Sequence, residues 1–353
     1  MKKNCLDLGV HYINSASVMA VKLVFRKILA HCFHHFGVFS LLKSYKTSGK
    51  AFVLMYHRVI RSLEEQELYV QPGMYILSET LREQLAYLKS NFTVLPLSEL
   101  VKRRETGQKI DGCCAITYDD GWRDNFLYAF PVLQEFGVPA TVFLATAFIG
   151  TEHHFWPEKL FLFLKTAKQK SVGRNNSKVQ SFLRSIAWDE SGRPSFENAV
   201  AVFKAYPPRE REKILEEISS AGHASPPKRL LMNWEEAREM LNSGLIDFGA
   251  HTANHVILDQ IPLQEAEKEI LRSKEELEHH LDIRPDLFAY PNGNYNRALS
   301  DLLKKHGFRA AVTTRRGWFN NATDLFQVPR IGIHEDISNE IPLFGARILL
   351  NRF

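Results

Sequence analysis

From about residue 51, short apolar runs alternate with longer amphipathic segments. The runs are rich in β-branched and aromatic residues, whereas the segments between them repeat apolar residues at helical spacing. Strands that alternate with helices in this way are typical of a mostly parallel sheet or barrel, so we predict an α/β fold. The predicted strands are Ala51–Tyr56, Phe92–Leu95, Cys113–Thr117, Ala140–Leu144, Ile246–Ala250, Leu287–Ala289, Ala310–Thr313 and Phe326–Ile331.

One interval interrupts this alternation. Residues 151–230 are too long for a loop, and they contain helix candidates at His153–Leu164 and near Arg209–Ser219, with the polar stretch Lys168–Ser181 between them. Insertions of this length are usually functional, and we predict a helical insertion over the mouth of the barrel. A cap without a function is the alternative.

The first fifty residues form a separate extension with an amphipathic pattern. This pattern suits a helix that lies in a membrane interface and, equally, a helix packed on the domain. We therefore divide the chain into an N-terminal helical extension (1–50), a barrel (51–335) and a C-terminal tail (336–353). The apolar positions of the extension are Val18, Val21, Phe25, Ile28, Cys32 and Phe36, and Lys22, Arg26 and Lys27 lie opposite them.

The composition is that of an ordinary globular protein, with 353 residues, 45% apolar and 24% charged residues, and a net charge of +5. The mild positive charge is not gathered into basic tracts, which argues against nucleic-acid binding. Four cysteines do not make a disulfide framework. The adjacent Cys113 and Cys114 are predicted to be buried free thiols, which favours a reducing compartment.

The amino terminus does not resemble a signal peptide, because Asp7, His11 and Asn14 interrupt its apolar residues. The longest uncharged stretch, Ile28–Leu42, is shorter than the roughly 20 residues that span a bilayer. We therefore expect a protein that is cytoplasmic or peripheral to the inner membrane.

Two clusters of potential metal ligands directly follow predicted strands. Thr117-Tyr118-Asp119-Asp120-Gly121-Trp122 contains paired acids, which are costly after a buried strand unless they bind a cation or another partner. An Asx turn that merely ends the strand is the alternative. His251-Thr252-Ala253-Asn254-His255 places two histidines four residues apart, close enough to bind one ion if the segment is helical.

A third cluster, Phe288-Ala289-Tyr290-Pro291-Asn292-Gly293-Asn294-Tyr295, also follows a predicted strand. Its composition is that of a Pro-Asn-Gly turn. It also suits a rigid loop whose backbone N–H groups face a developing oxyanion. Both interpretations remain open on composition alone.

Together and in this order, the three clusters resemble the NodB-homology polysaccharide deacetylases, also called carbohydrate esterase family 4, over about residues 50–335. The resemblance implies a distorted (β/α) barrel of about seven strands. It implies that Asp119 is the catalytic base and that Asp120, His251 and His255 bind a divalent metal, with Zn²⁺ as the first choice. Tyr118 stands where the family motif has Phe.

The third cluster departs from the common family form, Arg-Pro-Pro-Tyr/Trp-Gly, so the arginine that steadies the base is absent there. The Tyr-Pro-x-Gly loop and the early Tyr56-His57 are similar to the branch that contains poly-N-acetylglucosamine deacetylases. This similarity implies that His57 is the general acid, with His334 as a rival. It also suggests that Arg330 replaces the missing arginine. The residues assigned to substrate or oxyanion binding are Tyr290, Pro291, Asn292 and Tyr295, and Tyr118 and Trp122 are further candidates for stacking on the sugar.

The resemblance implies hydrolysis of the amide of an N-acylated sugar in a polysaccharide, oligosaccharide or lipid-linked glycan. Acetyl is the expected acyl group and formyl the alternative. Two other hypotheses remain open: hydrolysis of a polysaccharide ester, and a non-catalytic glycan-binding relic. The expected partner is an N-acylated glycan, and a peripheral membrane contact is motivated by the amphipathic amino terminus and the apolar tail Leu343–Phe353.

Overall fold

A computed structural model describes residues 14–62, 64, 70–71, 73–167, 169, 177–220 and 229–350. Most of the polar stretch Lys168–Ser181 lies outside these residues. The strands are β1 (Lys50–Tyr56), β2 (Arg58–Ile60), β3 (Tyr75–Leu77), β4 (Thr93–Val94), β5 (Cys113–Tyr118), β6 (Ala140–Leu144), β7 (Ile246–Ala250), β8 (Leu287–Ala289), β9 (Ala310–Val312), β10 (Phe319–Asn320) and β11 (Ile331–Gly332).

The main sheet follows the order β10-β1-β5-β6-β7-β8-β9, and β4 and β11 pair with β5 and β1. Its pairs are parallel except for β1 with β10. The segment after β10 brings the two edges together, because Val328 forms a bridge with Val312 of β9 and Ile331 pairs with Leu54 of β1. The predicted α/β barrel-like fold is therefore confirmed.

The last predicted strand, Phe326–Ile331, is wrong in its extent. Leu325–Gln327 forms a 3₁₀ turn, and only Ile331–Gly332 is a strand. Pro329 has no N–H to donate to a ladder, which limits regular pairing in this segment. The two-stranded sheet of β2 and β3 was not predicted.

The two faces of the sheet are packed differently, because side chains alternate along each strand. Ala51 and Val53 of β1 lie with Cys113 and Ala115 of β5 in one apolar cluster. The intervening residues of both strands lie in a larger cluster shared with the surrounding helices. Cys113 and Cys114 are buried and free, as predicted.

Helices cover the sheet and extend beyond it. The helices between Trp156 and Ser220 build an apolar core of their own around Phe182 and Phe203. The described α-helices are Asn14–His35, Val38–Thr47, Ser78–Asn91, Leu97–Glu105, Phe130–Phe136, Trp156–Thr166, Lys178–Ser185, Phe196–Ala205, Pro208–Ser220, Trp234–Asn242, Leu263–Leu281, Arg297–Lys305, Glu335–Ser338 and Ile341–Leu349. Within the described part of the chain, none of them is long and apolar enough to cross a bilayer.

Candidate active site

The three motif clusters meet at one end of the sheet. The strands β5, β7 and β8 are neighbours or next neighbours in a parallel sheet, so the segments that follow their carboxyl ends open on the same side. The end of β1 lies there too, because the Asp119 N–H donates to the Tyr56 carbonyl oxygen at 3.0 Å. The site is thus assembled from residues more than two hundred positions apart.

Asp120, His251 and His255 form a compact group in which one potential ligand atom of each lies within 4.8 Å of the others. Asp120 Oδ1 is 3.4 Å from His251 Nε2 and 3.3 Å from His255 Nε2. Asp120 and His251 are buried, and His255 is partly exposed. One carboxylate and two imidazoles are a donor set that suits zinc and leaves coordination positions open.

Neighbouring groups fix the orientation of these ligands. His251 Nδ1 lies 2.7 Å from the Ala289 carbonyl oxygen, and since a carbonyl only accepts, Nδ1 carries the proton and Nε2 is free to bind a cation. The Trp122 indole N–H donates to Asp120 Oδ2 at 2.8 Å. Burial would raise the pKa of Asp120, but the interactions with the His251 and His255 imidazoles outweigh it and hold that pKa well below its ordinary value. The residues therefore fit a divalent cation.

The ligand loops adopt unusual backbone conformations. Asp120 and His255 have positive φ angles of 77° and 53°, and Asn292 in the third cluster has 59°. Non-glycine residues seldom adopt this left-handed region, and such conformations are concentrated at functional sites. Because of the His255 conformation, the His251–His255 segment is not the regular helix that the spacing allowed.

Asp119 lies beside the ligand group in a buried ion pair with Arg330. Arg330 Nη1 and Nη2 donate to the two carboxylate oxygens at 2.7 and 2.6 Å. Its Nη1 also reaches Thr117 Oγ1, and its Nε donates to the Thr313 carbonyl oxygen. Burial opposes ionisation of Asp119, but Arg330 outweighs it and lowers the pKa of this carboxyl group. Arg330 thus contacts the Asp119 carboxylate, which has no arginine from the loop after β8 beside it.

His57 follows β1 and is partly exposed at the same end of the sheet. Burial lowers the pKa of His57, against the charges of Asp120 and Asp119, which raise it. His334 lies near enough to His57 for the two imidazoles to affect each other, and its Nδ1 is 3.3 Å from Asp336 Oδ2. Both candidates for the general acid therefore lie on one side of the site.

Of the residues in the loop after β8 that were assigned to substrate or oxyanion binding, some are exposed and others are buried. Tyr290 lies in the core, with its N–H on the Val312 carbonyl oxygen and its hydroxyl 3.4 Å from Ser300 Oγ, so we omit it from the proposed substrate contacts. Pro291 is also buried. Asn292 is exposed, and its Oδ1 accepts a hydrogen bond from Lys204 Nζ of the helix Phe196–Ala205 at 2.8 Å.

The aromatic residues of the motifs are mainly structural. Tyr118 is fully buried and stacks on Tyr56, with ring centroids 5.3 Å apart. Trp122 is buried between Arg58 and Phe155. Tyr295 is partly exposed, and its hydroxyl donates to Gln327 Oε1 at 3.0 Å. Of the three, only Tyr295 remains a candidate for sugar contact.

Several groups around the site were not found from the sequence. Glu158, on the helix Trp156–Thr166, is buried and accepts a hydrogen bond from Gln71 Nε2. Burial raises its pKa to about 8, with a smaller contribution from the charge of Asp120. Arg58 forms a buried ion pair with Asp124 at 2.7 Å. The adjacency of Arg58 to the Tyr56-His57 motif was a usable signal, whereas Glu158 gave none.

The structure thus combines a curled, mostly parallel sheet with an Asp-His-His group at the carboxyl ends of its strands. A family model described as polysaccharide deacetylase matches residues 106–311, more than half of the chain. The chain belongs to the polysaccharide deacetylase family. This confirms the resemblance drawn from the motifs.

Two curated relatives are similar to the chain at low identity. YxkH, a polysaccharide-deacetylase homologue of Bacillus subtilis, is 20% identical over 256 residues, which cover 72% of this chain and 63% of the relative. The poly-beta-1,6-N-acetyl-D-glucosamine N-deacetylase of Escherichia coli K12 is 22% identical over 275 residues, 76% of this chain and 35% of the relative. The chain thus spans less than two thirds of either relative.

Solved structures support the fold over most of the chain. The deacetylase PplD of Streptococcus pyogenes, in complex with acetate, aligns with a TM-score of 0.55 at 19% identity, covering 84% of this chain and 97% of that one. IcaB from Ammonifex degensii aligns with a TM-score of 0.54 at 18% identity and the same coverage. At these identities the similarity shows the fold.

Proposed function

We propose that this protein is a metal-dependent hydrolase that removes the acyl group, in first place acetyl, from the amide nitrogen of an N-acylated sugar. The observation that carries the proposal is the Asp120, His251 and His255 group with the Asp119 carboxylate beside it. A bound cation and a neighbouring general base are the groups needed to activate a water molecule for attack on an amide carbonyl.

Asp120, His251 and His255 would hold the metal, and zinc fits their nitrogen and oxygen donors best. When bound, the ion supplies positive charge that polarises the amide carbonyl and makes a nearby water more acidic. Asp120 contributes a carboxylate that is already ionised, and His251 contributes a tautomer fixed by the Ala289 carbonyl. Little rearrangement of the chain is therefore needed for binding.

Asp119 acts as the base that accepts the proton of the attacking water. Arg330 occupies one lone-pair direction on each carboxylate oxygen, and an ionised carboxylate has about four such directions. Room for a water proton therefore remains while the carboxylate is held in place. Arg330 is a positioning residue, since it acts through Asp119.

His57 donates a proton to the departing amine, which is a poor leaving group without one. Burial lowers the pKa of His57, and the charges of Asp120 and Asp119 partly offset this effect. The backbone N–H of Asn292 donates to the developing oxyanion, while Tyr295 contacts the sugar. Pro291 contributes through the rigidity of the loop.

The substrate is an N-acylated glycan. The E. coli relative is named for its action on poly-beta-1,6-N-acetyl-D-glucosamine, and the early Tyr56-His57 and the Tyr290-Pro291 loop favour the same chemistry here. The amphipathic helices at the amino terminus further favour peripheral membrane contact, which places the enzyme beside a nascent or membrane-associated glycan.

Hydrolysis of an O-acyl ester is the second candidate, since it needs the same metal and base but a weaker acid. The partial exposure and lowered pKa of His57 are the observations that favour it. The third hypothesis, a non-catalytic glycan-binding relic, was based on the absence of the arginine from the loop after β8. Because Arg330 forms an ion pair with Asp119, the absence of the loop arginine no longer supports that hypothesis.

The test compares turnover of matched N-acetyl and O-acetyl oligosaccharides by mass spectrometry, with the zinc-loaded protein. The proposal expects release of acetate from the amide substrate, and loss of release with retained metal in Asp119→Asn. Asp301→Asn, at an exposed helix position, is the matched control and stays active. An Asp119→Asn variant with full activity contradicts the base assignment, and turnover of the ester alone supports the second candidate.

A further inference from the structure

A cavity of about 450 Å³ lies at the end of the sheet opposite the candidate active site. Lys50, which borders it, begins β1, whereas Tyr56 ends that strand beside Asp119. At about 3.3 Å per residue, roughly 20 Å of strand separates Lys50 from Tyr56, and Ile331, which also lines the cavity, pairs with Leu54 between them. The cavity is lined by Lys46, Lys50, Arg316, Gly317, Trp318, Asn320, Ile331 and Ile348.

The lining contains three cationic side chains and no acidic one. Arg316 Nη2 donates to the backbone carbonyl oxygens of Arg347 and Leu350 at 2.7 and 2.8 Å, contacts that orient the guanidinium. Burial, and then the charge of Arg26, lowers the pKa of Arg316, so a further cation lies close by. Cations held together repel one another, which favours the binding of an anion between them.

An apolar surface adjoins this cavity. The helices Asn14–His35 and Val38–Thr47 pack on the carboxyl-terminal helix Ile341–Leu349. These two helices and the turn between them nevertheless carry six large apolar residues, each more than half exposed: Val24, Phe25, Ile28, Phe36, Leu41 and Tyr45. Single exposed apolar residues are ordinary, but a group on two adjoining helices marks an interaction surface.

The two features share the helix Val38–Thr47. Tyr45, in the apolar group, directly precedes Lys46, which lines the cavity, and Ile348 of the supporting helix lines it as well. A soluble anion would use the cavity and leave the apolar side chains in water. A membrane lipid offers both parts at once: acyl chains for the apolar side chains and a phosphate headgroup for the cations.

We propose that this end of the molecule lies on a membrane and that the cavity binds the phosphate headgroup of an anionic lipid. This proposal specifies the membrane contact that forms part of the proposed function. It rests on the proposed function only for the biological purpose of that contact. Because the cavity and the metal-ligand group lie at opposite ends of β1, the mouth of the active site then faces away from the bilayer and stays open to a glycan.

The experiment is flotation of the full chain with phosphatidylcholine vesicles, with and without phosphatidylglycerol. The wild type is expected to float only with the anionic vesicles. A Lys46→Gln/Lys50→Gln variant should bind them about thirtyfold more weakly, since each lysine near an anionic surface contributes roughly fivefold. The matched control, Lys213→Gln/Lys268→Gln, removes the same charge from exposed positions elsewhere and should bind like the wild type.

A second variant, Phe25→Ser/Leu41→Ser, tests the apolar surface and should also weaken flotation; circular dichroism checks the fold of each variant. Absence of flotation with anionic vesicles overturns the proposal, and so does equal binding by wild type and Lys46→Gln/Lys50→Gln. Binding of soluble glycerol phosphate without flotation overturns it in favour of a soluble anion site.

Deacetylation of a soluble oligosaccharide, measured on the same preparations, separates this proposal from the catalytic one. An active enzyme that does not float overturns only the lipid site. A protein that floats without turnover overturns only the proposed reaction.

Discussion

Replacement of Arg330 by Met should destabilise the fold by about 3–5 kcal/mol, because it leaves Asp119 as a buried charge without its partner. The guanidinium is fully buried and makes hydrogen bonds to both oxygens of Asp119, to Thr117 Oγ1 and to the Thr313 carbonyl oxygen. Met preserves much of the volume and removes the charge. The loss in the free energy of unfolding therefore measures the effect of the broken ion pair and not that of a cavity.

The measurement is urea unfolding followed by tryptophan fluorescence, with Arg297→Met as control. Arg297 is on an exposed helix face with its side chain 96% accessible, so its loss should cost under about 0.5 kcal/mol. The double variant Asp119→Asn/Arg330→Met has no charge at this position and should be more stable than the sum of the two single losses predicts, by about 2 kcal/mol or more.

The stabilisation by the Asp119–Arg330 pair depends on pH with a definite sign. The pKa of Asp119 is lowered below its ordinary 3.8 in the folded protein, so the stabilisation by Arg330 is complete above that value and is lost as the pH falls through the folded pKa. The difference between wild type and Arg330→Met should narrow in acid. An Arg330→Met variant within about 1 kcal/mol of wild type at neutral pH, or strict additivity in the double variant, would refute the reasoning.

Three further predictions concern neighbouring groups. His57→Gln should lower turnover of an N-acetyl substrate by about 10²–10⁴-fold and of an O-acetyl ester by less, measured by acetate release; equal losses contradict the acid role. Glu158 is protonated in the folded chain up to about pH 8 but only to about 4.5 when unfolded, so wild-type stability falls as the pH rises between these values. Glu158→Gln should gain a few kcal/mol relative to wild type over that range in urea titrations, and parallel curves would contradict this. Gly293→Ala should cost about 1–3 kcal/mol in the same assay, because Gly293 has a φ of 76° and a Cβ there would lie 2.6 Å from the Thr314 backbone nitrogen; an unchanged midpoint contradicts it.

The sequence was most informative where a local pattern has a local cause. Strands such as Ala140–Leu144 and Leu287–Ala289 were predicted with the observed bounds, because buried parallel strands are near-continuous apolar runs. The ligand group could be predicted because each ligand immediately follows such a strand. Parallel strands bring their carboxyl ends to one edge, whatever their separation in the chain.

Contacts between distant segments could not be predicted in the same way. The Lys204–Asn292 hydrogen bond and the Gln71–Glu158 pair depend on how the helices between β6 and β7 pack, and no spacing rule encodes that packing. Tyr290 was assigned to the substrate by its motif, yet its side chain fills the core. The extent of the last strand failed because Pro329 interrupts pairing inside an apolar run.

The central claim is that Asp120, His251 and His255 bind one cation together. Metal content per chain, measured by plasma mass spectrometry on untagged protein after dialysis against zinc and then buffer, tests it most directly. We expect one tightly held ion per chain in the wild type and in Asp119→Asn, and loss of that ion in His251→Ala and Asp120→Ala. A wild-type chain without metal, or variants that keep a full equivalent, would contradict it.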